Sequence, residues 1–217
     1  MPLFEVRRGQ GTGFGGGATP GALMNTMGHL VVMNWYQQLI LDGRGYQVRA
    51  GTITTPLVGD VVITDTAAEF CVDVASGTTL IPVFQNISVR LGTGTLHEYA
   101  TKSVATVSSA GTAFTLLPLK SNGTAATATA RVQAAGAVTV TAELATATLR
   151  HWSHSNPVVA GAGNSPVPYN WEPGVTGAPV LVGARCLYTQ VAATGTGPSY
   201  YANLDVIEVP TLMVDPS

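Results

Sequence analysis

The chain has 217 residues, of which 46% are hydrophobic, 10% are charged and 25 are glycine, and its formal net charge is −2. This composition excludes an intrinsically disordered chain, which would be poor in apolar residues, and the glycines lack the three-residue period of collagen. It also argues against electrostatic nucleic-acid binding, because the few lysines and arginines form no basic arm that could neutralise phosphates.

The low charge content also bears on association. An ordinary soluble domain has about 25% charged residues, whereas this chain has 10%. A monomer would therefore present a largely neutral surface, and a net charge near zero promotes association. We expect much of the surface to be covered by copies of the chain or by other partners.

Residues 1–45 are predicted to form an arm or prefix to the main domain. A short helix is predicted over 20–28, with a proline in its first turn and a glycine at its end. One or two helical turns are a second candidate over 34–41. Residues 11–16 match G-x-G-x-x-G, but the glycines continue through Gly17, and neither a βαβ unit nor a ribose-binding acid is evident downstream, as dinucleotide binding would require. They are interpreted as a closely packed glycine segment.

The sequence predicts neither a transmembrane helix nor a signal peptide. The longest apolar stretch, from Leu30 to Leu41, is shorter than a bilayer span and is interrupted by three polar residues. Met1 is followed by Pro-Leu-Phe-Glu rather than by a charged region and an apolar core.

Residues 46–209 are predicted to form one antiparallel β-sandwich domain, followed by a tail over 210–217. Short strand patterns separated by turns occupy 46–54, 58–64, 69–74, 79–91, 96–107, 113–119, 125–133, 138–152, 180–192 and 200–209. About ten strands at this spacing are typical of an all-β sandwich or barrel. No repeat of fixed length is present, which weighs against propellers and β-helices.

Two of these segments and one turn between strands carry more detailed predictions. In 69–74, the alternation places Phe70, Val72 and Val74 on one face and Glu69, Cys71 and Asp73 on the other. Pro82 marks a bend or a sheet edge in the strand over 79–91. Asn122-Gly123 predicts a tight hairpin turn, because both residues tolerate a positive φ.

The proline- and glycine-rich stretch 153–179 interrupts the strand pattern. A loop of this length inside a compact domain is usually functional or forms an interface, and the sequence leaves open whether it binds a ligand or a neighbouring subunit. Trp152, Tyr169 and Trp171 lie in or beside it. They fit a carbohydrate platform, a protein–protein anchor, or rings that close one end of the barrel.

No catalytic or metal-binding constellation is predicted. His151 and His154 are three residues apart, but a metal would need further ligands that no neighbouring residue supplies. His97 and Glu98 are adjacent on a strand, so they point to opposite faces and cannot form an acid–base pair directly. No nucleophile elbow or carboxylate pair is identifiable. We therefore predict a protein that is not an enzyme and has no cofactor and no bound metal.

Two further features are interpreted as structural. The glycosylation sequons Asn86-Ile87-Ser88 and Asn122-Gly123-Thr124 are attributed to chance, because no secretion signal accompanies them. Cys71 and Cys186 could pair only if the fold brings their strands together. Without a secretion signal, free and half-buried thiols are the favoured interpretation, and the sequence leaves their redox state open.

One stretch carries a family resemblance. Ala68-Glu69-Phe70-Cys71-Val72-Asp73-Val74, a short turn, Gly77-Thr78-Thr79-Leu80-Ile81-Pro82 and a long strand ending in Gly92-Thr93-Gly94-Thr95 follow one another. This strand–turn–strand rhythm resembles that of viral jelly-roll capsid proteins, especially those of tailless icosahedral bacteriophages. The resemblance implies two four-stranded sheets in Greek-key order that tile into a shell.

The resemblance also implies a function and partners. We expect a capsid or capsid-decorating subunit, located in a virion assembled in the host cytoplasm. Its partners would be copies of itself, as a trimer or larger, and other virion proteins, with 9–17 and 153–179 reaching towards neighbours. The absence of a basic arm implies that the shell surrounds a membrane or pre-packed DNA rather than condensing RNA.

Two alternatives remain at this point. The first is a carbohydrate-binding or adhesive β-sandwich of a surface fibre, with Trp152, Tyr169 and Trp171 as its platform. The second is a jelly-roll enzyme of the cupin type, which would hold a metal.

Overall fold

The computed structural model describes residues 35–52, 54–91, 96–133, 137–142, 148–155 and 168–213. The helices are α1 (Trp35–Leu41) and α2 (Pro173–Thr176), and a 3-10 turn spans Thr211–Met213. The strands are β1 (Gly45–Ala50), β2 (Leu57–Val58), β3 (Ala67–Ala68), β4 (Phe70–Val74), β5 (Thr78–Leu91), β6 (Leu96–Val104), β7 (Thr112–Thr115), β8 (Leu117–Pro118), β9 (Thr129–Val132), β10 (Val138–Thr139), β11 (Thr148–Ser155), β12 (Tyr169–Trp171), β13 (Leu181–Val182), β14 (Arg185–Ala193) and β15 (Ser199–Pro210). The all-β class is confirmed.

Eight strands form two antiparallel sheets in the order of a jelly roll. The first sheet contains β12-β5-β15-β1, and the second contains β11-β6-β14-β4. When these eight are numbered along the chain, the first pairs with the last and the second with the seventh. The third pairs with the sixth and the fourth with the fifth. This nested pairing is that of two Greek keys, so the predicted jelly-roll-like sandwich is confirmed.

The chain between β6 and β11 wraps around the sandwich. Within it, β8 extends the first sheet beyond β1, and β9 and β7 extend the second sheet beyond β4. β10 pairs with β3 in a separate two-stranded sheet. This connection therefore covers β1 and β4, which would otherwise be edge strands open to pairing with another chain.

Apolar side chains fill two separate clusters. The main core lies between the sheets and includes Phe70, Val72 and Val74, as the alternation predicts. A smaller cluster lies on the outer side of the second sheet and consists of Ala68, Cys71, Val104, Val138, Val140, Cys186 and Tyr188. Because of this second cluster, β4 is buried on both faces.

Segments 64–68, 107–109 and 138–140 form what we term the outer cover of the second sheet. Ser109 pairs with Thr139 through main-chain bonds, and the N–H of Val140 donates to the carbonyl of Thr66. The side-chain amide of Gln190, on β14, donates to the carbonyls of Thr64 and Ala67. The cover is thus held both to itself and to the sheet below it.

A buried polar contact joins the two sheets across the core. The amide nitrogen of Gln85, on β5, donates to the hydroxyl of Thr189 on β14 at 2.7 Å. The hydroxyl of Thr101, on β6, donates to the amide oxygen of Gln85 at 2.8 Å. Because every partner is buried, these bonds satisfy polar groups that would otherwise be costly in the core.

Buried carboxylates accept hydrogen bonds from main-chain N–H groups outside the regular ladders. Glu208, on β15, accepts from Thr127 at 2.8 Å and from Ala128 at 2.7 Å. Glu69, between β3 and β4, accepts from the N–H of Val191 at 2.8 Å. These bonds supply partners for main-chain groups that water cannot reach.

Several predicted strands differ from the observed ones. Within the predicted strand 58–64, the structure forms only the end of β2. The main chain at Gly59 instead packs closely against β14. A Cβ added at Gly59 would lie 2.3 Å from the carbonyl oxygen of Val191. The predicted strand 113–119 divides into β7 and β8, which belong to different sheets. The predicted strand 138–152 divides into β10 and β11.

The regions around two turns also need correction. Residues 121–123 turn, with the N–H of Gly123 donating to the carbonyl of Lys120, but the flanking β8 and β9 lie in different sheets, so no hairpin forms. The stretch 153–179, predicted as a loop, contains the end of β11, all of β12 and α2. At Pro82 the register with β15 shifts, which is the irregularity predicted there. On its other side β5 pairs with β13 at 79–80 and with β12 at 85–87, so Pro82 lies in the gap between these two neighbours.

Removing the Glu208 carboxylate should destabilise the protein. In Glu208→Ala, the buried N–H of Ala128 and the half-buried N–H of Thr127 lose their acceptor, and we expect the free energy of unfolding to fall by about 2 kcal/mol. Urea unfolding followed by circular dichroism measures this. The control Glu172→Ala, at an exposed carboxylate, should change stability by less than about 0.5 kcal/mol. Equal losses in the two variants would contradict the anchoring role of Glu208.

Glu69 should make stability depend on pH. Burial, with a smaller contribution from Asp60, raises its pKa from the ordinary value of 4.5 to about 8 although Val191 donates to it. The folded protein therefore retains a proton between these values that the unfolded chain releases, so stability falls as pH rises through this window.

The matching variant is Glu69→Gln, which keeps an oxygen acceptor and does not titrate. Between pH 5 and 8, wild type should lose roughly 1 kcal/mol per pH unit relative to Glu69→Gln. Urea midpoints of both proteins at several pH values measure the difference. A difference that stays constant with pH would show that Glu69 does not hold this proton.

Candidate assembly surface

The outer side of the first sheet carries both helices, and we term it the helical face. α1 contacts β1 and β15, and α2 contacts β5. Five of the seven residues of α1 are apolar or aromatic, yet none is buried. Trp35 is 44% exposed, Leu41 is 54% exposed, and Val175 of α2 is 76% exposed. The helical face therefore leaves large apolar side chains in contact with solvent.

A groove of about 290 Å³ lies between the two helices. Its floor is formed by the outward-facing side of β5 and β15, including Phe84 and Ile207, and its walls by Tyr36, Ile40 and Val175. Contiguous exposed apolar surface of this kind marks an interaction site in soluble proteins.

A half-buried acid lies at the floor of the groove. Asp205 accepts a hydrogen bond from the side-chain amide of Gln47 at 2.8 Å. Burial raises the pKa of Asp205, while Gln47 and nearby Arg49 lower it. The acid is thus held by neighbours on the same sheet.

A row of polar residues crosses the outer side of this sheet. Asn170, Asn86, Asn203 and Arg49 lie side by side across β12, β5, β15 and β1. The amide of Asn86 donates to Asn170 at 2.6 Å and accepts from Ser88 at 2.9 Å. The Asn86 sequon therefore lies in the middle of a paired strand, whereas Asn122 is exposed in a turn.

The three aromatic residues proposed as a platform lie on strands and pack against the core. Tyr169 is buried, and Trp152 and Trp171 are half-buried. Ring centroids lie 5.1 Å apart for Tyr99 and Trp152, and 5.5 Å apart for Tyr99 and Tyr169. The rings pack at the side of the sandwich where β11 and β12 are the outermost strands of their sheets. Of the three interpretations of the sequence, this placement is nearest to rings that close the fold.

The three histidines within the described residues lie on two neighbouring strands, His97 on β6 and His151 and His154 on β11. His97 is buried, whereas the ring of exposed His151 lies 3.8 Å from the carboxylate of Glu98. His154 is opposite His97 in the strand register. His97 and Glu98 are adjacent in β6 and therefore lie on opposite faces of the sheet. The sequence did not indicate the pairing of His151 with Glu98, because it depends on which strands are neighbours.

Cys71 and Cys186 are free, as predicted, but fully rather than half buried. The fold brings their strands together, since β4 and β14 are neighbours. Among the described residues, the one group of three or more metal-ligating side chains within reach of a single ion is Cys71, Asp73 and Cys186. The sequence did not predict this group, because Cys186 joins it only through the pairing of β14 with β4. The one indication in the sequence is Cys71-x-Asp73, which places a thiol and a carboxylate on the same face of a strand.

Some predicted features lie outside the described residues. They are the helix over 20–28, the glycine-rich residues 9–17 with their G-x-G-x-x-G match, and 156–167 of the proline-rich stretch. The described part of the chain holds no helix of a length and apolarity suited to crossing a bilayer. No protein-family model matches this chain, and no curated protein or solved structure matches it.

Proposed function

We propose that this protein is a non-enzymatic structural protein of a virus particle, a capsid or capsid-decorating subunit that assembles with copies of itself into a symmetric shell. The observation that carries the proposal is the jelly-roll strand order, an architecture used by viral capsid proteins. The same architecture also serves lectins and cupins, so surface chemistry has to distinguish between these functions.

The surface chemistry supports self-association. The helical face exposes Trp35, Leu41 and Val175 around an apolar groove, and the chain has only 10% charged residues. Burying this face between copies would remove apolar area from water at about 25 cal/mol per Å². Closed symmetry would then determine how many copies meet, as a trimer or larger.

The placement of the aromatic rings also favours assembly over a sugar platform. Sugars stack on exposed ring faces, whereas Tyr169 is buried and Trp152 and Trp171 pack against the core. The low number of basic residues is consistent with a subunit that contacts other proteins rather than nucleic acid.

The native mass tests the proposed function. Light scattering on gently purified protein should give a mass of at least three times the 22.3 kDa of the chain, because the helical face is covered in the assembly. Electron microscopy of the large fraction should show symmetric particles. A monomer that stays dispersed at high concentration would contradict the proposal.

A pair of matched variants tests the surface. Val175→Lys introduces a charge on the helical face and should shift the mass distribution towards the monomer, since a buried unpaired charge is costly. Val107→Lys changes a residue of the outer cover that is 54% exposed, on the opposite side of the sandwich, and should leave the mass unchanged. If both variants assemble like wild type, the shell contact lies elsewhere.

A further inference from the structure

A compact group of metal-ligating side chains lies beneath the outer cover. Cys71 and Asp73 are alternate residues of β4 and share its outer face, and Cys186 on β14 is directly opposite Asp73. The two sulfurs and a carboxylate oxygen all lie within 4.8 Å of one another. Neither thiol is in a disulfide, and both cysteines are fully buried.

Ser108 adds a fourth polar group from the outer cover. Its hydroxyl lies 3.1 Å from the sulfur of Cys71 and donates to a carboxylate oxygen of Asp73 at 2.7 Å. Its N–H donates to the other oxygen of Asp73 at 2.7 Å. The group therefore joins β4, β14 and the cover.

Charge around the group suits a divalent ion. Arg131 lies 3.4 Å from the carboxylate of Asp73. A divalent cation, two thiolates, one carboxylate and this guanidinium sum to zero net charge. Without the cation, two thiolates beside Asp73 would be strongly disfavoured in a buried site.

We propose that Cys71, Cys186 and Asp73 form a structural zinc site, with the Ser108 hydroxyl or a water molecule as the fourth ligand. Two thiolates and a carboxylate are a donor set that Zn²⁺ prefers. Zinc–sulfur bonds of about 2.3 Å in a tetrahedron place two sulfurs about 3.8 Å apart, so the observed cluster needs only small side-chain movements.

Binding exchanges protons for the metal. Zn²⁺ replaces the protons of both thiols, forming two zinc–sulfur bonds and releasing two protons to solvent, with no oxidation or reduction. The neighbouring Cys71 thiol, followed by burial, raises the pKa of Cys186. Because the cover lies over the site, we infer that the ion binds as the chain folds.

The effect of the ion would be to fasten the outer cover to the second sheet. Without the ion, Ser108 is held to β4 by two hydrogen bonds to the carboxylate of Asp73 and by a weak contact with the sulfur of Cys71. Coordination would replace these with bonds shared by two strands. This inference does not depend on the proposed assembly function.

The experiment is reconstitution of the full chain. The protein is unfolded with reductant and chelator and then refolded with Zn²⁺, or with Co²⁺ as a spectroscopic probe. Gel filtration followed by metal analysis should give about one ion per chain, and Co²⁺ should show a thiolate charge-transfer band in the near ultraviolet. Zn²⁺ should also raise the urea midpoint.

Variants distinguish this site from adventitious binding. Cys71→Ser and Cys186→Ser should each lose the charge-transfer band and the stoichiometric ion, whereas His151→Gln, which removes an exposed imidazole, should retain both. Retention of the ion by either cysteine variant, or its loss from His151→Gln, would overturn the proposal.

A measurement on wild type covers the case in which the cysteine variants fail to fold. During unfolding in urea, modification of the thiols by a disulfide reagent should be slower with Zn²⁺ than with chelator. Equal rates, or isolation of the protein with Cys71 and Cys186 joined in a disulfide, would likewise overturn the zinc site.

Discussion

Irregular segments of this jelly roll depend on buried polar side chains that bond to their main chain. Asp73 holds Ser108, Glu208 holds the N–H groups of Thr127 and Ala128, and Gln190 holds the carbonyls of Thr64 and Ala67. A strand finds its partners in the neighbouring strand, but a covering loop does not. These anchors hold 108 and 127–128, in the chain between β6 and β11, and 64–67, before β4, against the sandwich.

This arrangement explains the unusual burial of the second sheet. Its inner face meets the first sheet, and its outer face meets the cover, so β4 is apolar or buried throughout. A sheet covered on both sides needs fewer charged residues, which accords with the 10% charge content of the chain. The buried carboxyl groups of Glu69, Asp73 and Glu208 accept hydrogen bonds from main-chain N–H groups.

The two proposals concern opposite sides of the sandwich. The helical face, on the outer side of the first sheet, offers an apolar groove and exposed side chains to a second copy. The zinc site lies under the cover on the outer side of the second sheet. One side would therefore be stabilised within the chain and the other by association, so the two can be tested independently.

The sequence by itself determined the all-β class, most strand positions and the faces of β4. Local alternation carries this information, since Phe70, Val72 and Val74 lie in the core and Cys71 lies on the other face. Helical turns over 34–41 were also predictable as α1. Strand neighbours were not, because pairing across more than a hundred residues leaves no local pattern.

Only the tertiary structure decided where the functional features lie. It showed that Trp152 and Tyr169, for which the sequence left a platform, an anchor or closing rings open, pack into one side of the sandwich. It also placed Cys186 beside Asp73. It also uncovered the helical face, since exposure of Trp35 and Val175 depends on what packs around them. The physical reason is common to all three: side-chain environment is set by non-local strand order, whereas composition and alternation report only local preference.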